Sequence, residues 1–558
     1  MGREAFGRWH VAARAAVAWL AVGACLGASV GAADRLREIQ IQAAKRGRSS
    51  IAHWGPEPGR YVSWHHHTNR LVPVYTFGTA GAGPGIDLGS YVGARSVYRD
   101  RAALERIYGA VPARTWNPSA DYLDQTDVAA LQRAALAAGR RHVILVVFDG
   151  MDWDTARAAA IYASGGVRFD TGRGTGLHFL DYTAGGTSQF GYAVTAPSDD
   201  HHDGAVDGQH VREQGSGLGG GYDAAQGGPN PWTPGTSPGY PIARREGDLP
   251  RHAVPDSAAT ATALCTGRKT YNGAINVDPH GRKLRTVAHD AQAAGKSIGV
   301  VTSVPVSHAT PAAAYAHNVR RSDYQDLSKD LLGLRSVSHP DEPLAGVDVL
   351  VGCGWGVAAR ADAGQGRNFV AGNRYLADPD LRAIDVASGG RYVVSTRTPG
   401  VSGAERLHAD AERAASSGRR LFGFFGVTDG GGHLPFRTAD GGYDPVRGRG
   451  VAEHYSPADL RENPKLAEMT AAALAVLERD PDGFWLMIEA GDVDWASHDA
   501  NLDAAVGAVL SGDEAVRVVT DWVDRRSNWS DSLLVVTSDH GHYLVLTGPS
   551  GLANADNP

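Results

Sequence analysis

The feature that most constrains this chain is a series of short, unbroken apolar runs rich in β-branched residues. His142–Phe148 (HVILVVF) is the plainest, and similar runs recur at Ser297–Thr302, Val347–Val351, Leu421–Phe425, Phe484–Ile488 and Leu533–Thr537. A strand with one wet face alternates apolar and polar residues. A run apolar at nearly every position is expected where a strand is buried on both faces. Helical stretches lie between several of these runs. Thr286–Ala294 ends at Gly295, a good helix stop. Leu466–Arg479 places Leu466, Met469, Ala473 and Leu477 at the spacing of one helix face. Strands alternating with helices predict an α/β fold, with a large, mostly parallel central sheet and helices on both faces.

A length of 558 residues suits one large domain of this class with surface insertions. The expected division is a leader over 1–33, an N-terminal extension over 34–138 without a strong motif, and a main domain over 139–558. Within the last, 196–250 is rich in Gly, Pro, Asp and His and reads as a long insertion. A net charge of -7 gives none of the basic excess that nucleic-acid binding requires. Arg3, Arg8 and Arg14 precede an apolar stretch from Ala15 to Gly31 and small residues at Ala32 and Ala33, which reads as a secretory signal. Val22-Gly23-Ala24-Cys25 also fits the short pattern before a lipid-modified cysteine. Periplasmic or secreted protein, membrane-anchored lipoprotein and uncleaved anchor are thus the three readings of this end. Cys265 and Cys353 are too few for a disulfide framework and are expected as buried free thiols.

Several motifs lack the context they need. Gly215, Gly217 and Gly220 have dinucleotide-loop spacing, but no strand precedes them. Ser237 sits in a literal G-x-S-x-G, but Pro238 in a loop cannot form the strand-to-helix elbow. Three consecutive side chains cannot all face one ion, so His65-His66-His67 is expected in a solvated loop.

The chemistry concentrates where apolar runs end. Phe148 is followed by Asp149; Ile488 by Glu489, with Asp494 and His498 close behind; Thr537 leads into Asp539, His540 and His542. In open parallel sheets ligands bind beyond the carboxyl ends of the strands. An Asp after one strand is an ordinary helix cap or turn former. Four carboxylates gathered at one rim would repel one another unless cations neutralised them. Asp494 and His498, four apart, share a helix face, which suits two ligands of one ion and also an ordinary surface pair. Oxygen and nitrogen donors without thiolate suit Zn²⁺, the carboxylate-rich positions Mg²⁺. Asp256-Ser257 before an Ala-rich run reads as a helix start. Ser257 is either its cap or a nucleophile placed where free N–H groups and the helix dipole bind phosphate.

FDGMDW (148–153), PDSAATATALCTG (255–267), VSHATPAAAYAHNVRR (306–321), GFWLMIEAGDVDWASHD (483–499) and VVTSDHGH (535–542) together resemble the alkaline phosphatase family, in the family's order. The resemblance implies a phosphomonoesterase holding two Zn²⁺ and one Mg²⁺. Ser257 looks like the nucleophile that becomes phosphoserine. Asp149 would bridge the second zinc and the magnesium, and Asp539 and His540 would complete the second zinc. Asp494 and His498 would hold the first zinc. Glu489, Thr310 and His308 would form the third site, and Arg321 would clamp phosphate oxygens. Family members are commonly dimers, and small phosphate monoesters are the implied partners.

Two departures stand out. His308 stands where some bacterial members carry Asp, and Trp495 follows Asp494 where those members have Lys, which leaves the third ion open. Family members also draw a third ligand for the first zinc from a histidine well downstream of the Asp-His pair, and none follows His542 here. His542 is the expected substitute, or else a donor that orients a carboxylate. His433 comes next, then the doublet His201-His202 or a further C-terminal segment. Phosphodiesterase, sulfatase or mutase chemistry on the same fold, and a non-catalytic surface protein lacking a zinc ligand, are the competing readings.

Overall fold

Ten strands form one sheet: β1 (Val72–Phe77), β2 (Leu123–Asp124), β3 (His142–Phe148), β4 (Gln189–Val194), β5 (Ser297–Pro305), β6 (Val349–Cys353), β7 (Tyr392–Thr396), β8 (Arg420–Phe425), β9 (Phe484–Ala490) and β10 (Ser532–Thr537). Their spatial order is β7-β8-β6-β5-β9-β3-β10-β1-β4-β2. From β7 through β10 every neighbouring pair is parallel. β1 then runs antiparallel to both β10 and β4, and β2 lies parallel to β4. The computed structural model describes residues 35–64, 66–214, 217–243, 251–428, 431–448 and 452–553. Residues 1–33, expected to be a leader and including Cys25, lie outside the described residues, as do His65 and Gly215.

The apolar runs are strands for the expected reason. In β3, Ile144, Val146 and Phe148 enter the core on one face of the sheet, while Val143, Leu145 and Val147 enter the core on the other. Both faces are dry, so no position needs a polar side chain. Eight helices position the site or its supports: α1 (Gln125–Ala137), α2 (Trp153–Ser164), α3 (Ser257–Thr266), α4 (Val287–Ala293), α5 (Ala309–Ala313), α6 (Tyr324–Leu332), α7 (Asp492–His498) and α8 (Leu502–Arg526). Apolar residues of α2, α7 and α8 pack with the first core, and those of α1, α3, α4, α5 and α6 with the second. The sheet is therefore covered on both sides, as expected of an α/β fold. α4 is capped by Thr286, and Gly295 just beyond it adopts φ +85°. Cys265 and Cys353 are buried free thiols.

Residues 34–138 are more than an appendage. β1 sits inside the sheet between β10 and β4, and the described residues from 35 onward belong to one compact unit with the rest. The stretch VPVYTF gives a weak strand signal in the sequence because it is short and carries Pro73. It is nonetheless fully buried at every position.

Candidate active site

The parallel strands deliver their ligands to one rim. Asp149 follows β3, and its carboxylate, that of Asp539 beyond β10, and the His540 ring each offer a ligand atom within 4.8 Å of the others. His540 Nε2 stands 3.5 Å from Asp149 Oδ1 and 3.3 Å from Asp539 Oδ2. Glu489, near the end of β9, accepts from the Thr302 hydroxyl on β5. Thr310, in α5 beyond β5, donates to Asp149 at 3.4 Å. Asp494 and His498 lie on one face of α7, with His498 Nε2 3.4 Å from Asp494 Oδ1. Thr302 is a participant that sequence reasoning missed, since nothing in an apolar run marks one hydroxyl as facing a carboxylate.

Ser257 is the first residue of α3, and its neighbour Asp256 is the cap, accepting from the Ala259 N–H at 3.0 Å. The hydroxyl of Ser257 is therefore not spent on capping. It lies 3.2 Å from His540 Nε2. Arg321 donates from Nη1 to Asp256 Oδ2 at 3.1 Å, so one aspartate both starts the helix and aims the guanidinium. His67, Ser257, His308, Arg321, Asp494, Trp495 and His498 line an open pocket of about 400 Å³, joined by Arg447 and Asp499. Arg447, in a segment without periodicity, is a second cation that no motif announced.

His67 is the largest correction to the sequence reading. The side chain leaves the expected solvated loop and enters the ligand cluster, where it, Asp494, His540 and His542 each place a ligand atom within 4.8 Å of the others. Its Nδ1–H donates to the Pro255 carbonyl at 3.1 Å. That orients the ring and places Nε2 3.4 Å from Asp494 Oδ1 and 2.9 Å from His498 Nε2. The ring also stacks on His540, with centroids 3.8 Å apart. Topology explains the placement. β1 runs against its neighbours, so its beginning lies at the rim where β10 ends, and Thr68 bridges to Gly541 there. A search confined to residues after strands could not find a ligand that precedes one.

His542 Nε2 lies 2.7 Å from Asp494 Oδ1 and its ring centroid 5.6 Å from that of His540, so both imidazoles do reach the rim. His433 is buried against Phe436 and Trp495 with Nε2 on Glu453, outside the ligand clusters. His201 and His202 gather round Asp199 and take no part in this pocket. His308 precedes α5 at its N-cap position, makes no side-chain capping bond, and meets Trp495 edge-on, with ring centroids 5.7 Å apart.

The electrostatics of this rim call for cations. Burial and the charges of Asp539, Asp494 and Glu489 push Asp149 well above the carboxylate range. Burial drives Glu489 up to about 8 and Asp539 to about 6. Burial would raise Asp494 too, but His498, His542 and His67 hold it well below its usual value. Burial and Arg321 lower His308 to about 3, and burial and His498 bring His542 to about 3, so both imidazoles are neutral and able to ligate. Asp149 Oδ1, Glu489 Oε1 and the Nδ1 atoms of His308 and His540 are buried and have no hydrogen-bond partner among the described residues. Unsatisfied carboxylate oxygens beside neutral imidazoles fit divalent cations held by oxygen and nitrogen.

The family model for alkaline phosphatase matches residues 240–554, more than half of the chain. The chain belongs to the alkaline phosphatase family. It is 28% identical to alkaline phosphatase 4 of Bacillus subtilis over 310 residues, 55% of this chain and 53% of that one. It is 31% identical to the alkaline phosphatase of Escherichia coli over 54% of this chain and 62% of that one. The matched region thus spans roughly half to three-fifths of these alkaline phosphatases. Among solved structures, Thermus thermophilus alkaline phosphatase aligns at TM-score 0.42 and 24% identity, covering 72% of this chain and 60% of that one. The segment carrying His67 and β1 lies outside the region that the alkaline phosphatase model matches.

Proposed function

We propose that the chain is a metal-dependent phosphomonoesterase that passes the phosphoryl group through Ser257. The observation that carries this reading is a hydroxyl at a helix start, 3.2 Å from His540, among buried carboxylates whose oxygens lack partners. Asp494, His498 and His67 would hold one zinc. Asp149, Asp539, His540 and Ser257 would surround a second. Asp149, Glu489, Thr310 and His308 would take a third ion of the magnesium type. When bound, these ions neutralise the carboxylates, lower the pKa of the serine hydroxyl and stabilise oxygens that gain charge. His67 takes the place that the resemblance assigns to a histidine later in the chain. His542 is thereby left to hold the Asp494 carboxylate in position.

Ser257 Oγ attacks phosphorus, the ester P–O bond breaks and the alcohol departs with a proton. Water then cleaves the Oγ–P bond and releases inorganic phosphate. The free N–H groups at the start of α3 and the positive end of its dipole face the phosphoryl group. Arg321, steadied by Asp256, supplies a planar fork for two equatorial oxygens, a job a lysine cannot do equally well. A monoester offers that fork more free oxygens than a diester, which favours monoesters as substrates. A leader over residues 1–33 would send the enzyme to the periplasm or the exterior, or anchor it there as a lipoprotein through Cys25. Among the described residues no helix is long and apolar enough to cross a membrane.

The test is hydrolysis of 4-nitrophenyl phosphate at alkaline pH by chelator-stripped protein before and after zinc and magnesium are restored. Activity should be lost on stripping and return with the ions. Full turnover by protein shown to be metal-free would exclude the proposal.

A further inference from the structure

A second group of ligand-type side chains lies apart from the rim. His317, Asp330 and His339 each offer one ligand atom within 4.8 Å of the others, and all three residues are buried. His317 follows α5, Asp330 lies in α6, and His339 lies in the irregular stretch between α6 and β6. His339 Nδ1 stands 2.9 and 3.1 Å from the two oxygens of Asp330.

The protonation pattern separates a ligand set from an ordinary buried ion pair. His317 Nε2–H donates to the Leu284 carbonyl at 2.9 Å, which leaves a lone pair on Nδ1. That Nδ1 is buried and has no hydrogen-bond partner among the described residues, in a residue only 5% exposed. A simple His339–Asp330 pair would leave this acceptor unexplained. An imidazole whose outer nitrogen is pinned by a main-chain carbonyl is the usual arrangement of a metal-binding histidine. Asp330 is pinned as well, accepting from the His317 main-chain N–H at 3.0 Å and from the Ser336 hydroxyl. Among the described residues, its ion-pair partner is His339, with no arginine or lysine on the carboxylate. Burial lowers His317 to about 3, so the ring is neutral, the form that binds metal.

We propose that His317, Asp330 and His339 bind a divalent transition-metal ion, zinc by preference, through His317 Nδ1, His339 Nδ1 and the Asp330 carboxylate. Two imidazoles and one carboxylate without thiolate suit zinc, and water completes the sphere. His289 stacks on His317 with centroids 5.3 Å apart, accepts from the Thr286 N–H through Nδ1, and lies outside this three-residue set. The ion ties the 333–348 connection, which has no regular structure before β6, to α6 and to the segment leaving α5. This role is structural, and none of its residues lines the pocket at the rim.

Crystals of the unaltered chain grown with zinc decide the matter by anomalous scattering on either side of the zinc edge. A peak about 2.0–2.1 Å from the two Nδ1 atoms is expected. Absence of this peak, while peaks are present at the rim, would overturn the proposal without touching the reading of the active site. In solution, His339→Gln should bind one zinc fewer per chain than the unaltered protein and keep its turnover of 4-nitrophenyl phosphate. An unchanged zinc count in folded His339→Gln protein would also overturn it.

Discussion

His67 and His542 approach the same carboxylate oxygen from different supports. The Nδ1–H of His67 is held by the Pro255 carbonyl, which orients its ring toward the cluster, whereas His542 Nε2 lies 2.7 Å from Asp494 Oδ1, the distance of a donor to that carboxylate. His542→Ala is therefore expected to weaken metal binding by about 10–100-fold, the range for loss of a supporting hydrogen bond. His67→Ala should exceed that range and remove one zinc per chain at micromolar metal, measured by metal analysis after gel filtration. A full zinc complement in His67→Ala would move the third-ligand role back to His542. Of the site residues, those that follow a strand were legible because a parallel sheet sends them to one rim. His67 was not, because its strand is the reversed one.

The elements show why small residues surround the ligands. Gly150 turns the chain after β3 with φ +79°, and a Cβ there would stand 2.8 Å from the Asp494 backbone and 2.9 Å from the His542 ring. Close approach of β3 and α7 is what brings Asp149 and Asp494 onto one rim, and glycine permits it. The six apolar runs all became strands, with ends moved by up to three residues, since burial on both faces is a strong local signal. β1, β2, β4 and β7 were harder to read because they are short, interrupted by proline or glycine, or partly polar. At the start of β3, His142 is enclosed by Phe484 and Trp522 and is lowered to about 4 by burial and by Arg141. It is neutral in the fold and protonates at its ordinary pKa once unfolded. Its contribution to stability is complete above about pH 6.5 and is lost as pH falls towards 4, amounting to about 3 kcal/mol at most. Thermal unfolding of metal-stripped protein should show this decline, and His142→Asn should flatten it. An equal slope in the variant would contradict the assignment.

At the scale of the whole molecule, one candidate ligand cluster draws on residues from His67 to His542, nearly the full described length. The family resemblance begins at residue 148, so the extension before it had no visible task in the sequence. The structure gives it one, since β1 closes the sheet beside β10 and delivers His67. A chain beginning at residue 139 keeps every motif of the resemblance but leaves β10 and β4 without the strand between them. Such a chain is expected to show no cooperative unfolding and no phosphatase activity, and wild-type turnover by it would refute the role given to β1. The chemical core of the proposed function is a phosphoryl group carried on Ser257. Acid quenching of the metal-loaded enzyme during turnover of a phosphate ester, followed by mass spectrometry of the peptide holding Ser257, reads that directly. The expected result is a phosphoryl adduct on Ser257 that is absent from Ser257→Ala, together with loss of turnover in that variant. Turnover at the unaltered rate in Ser257→Ala would contradict the account.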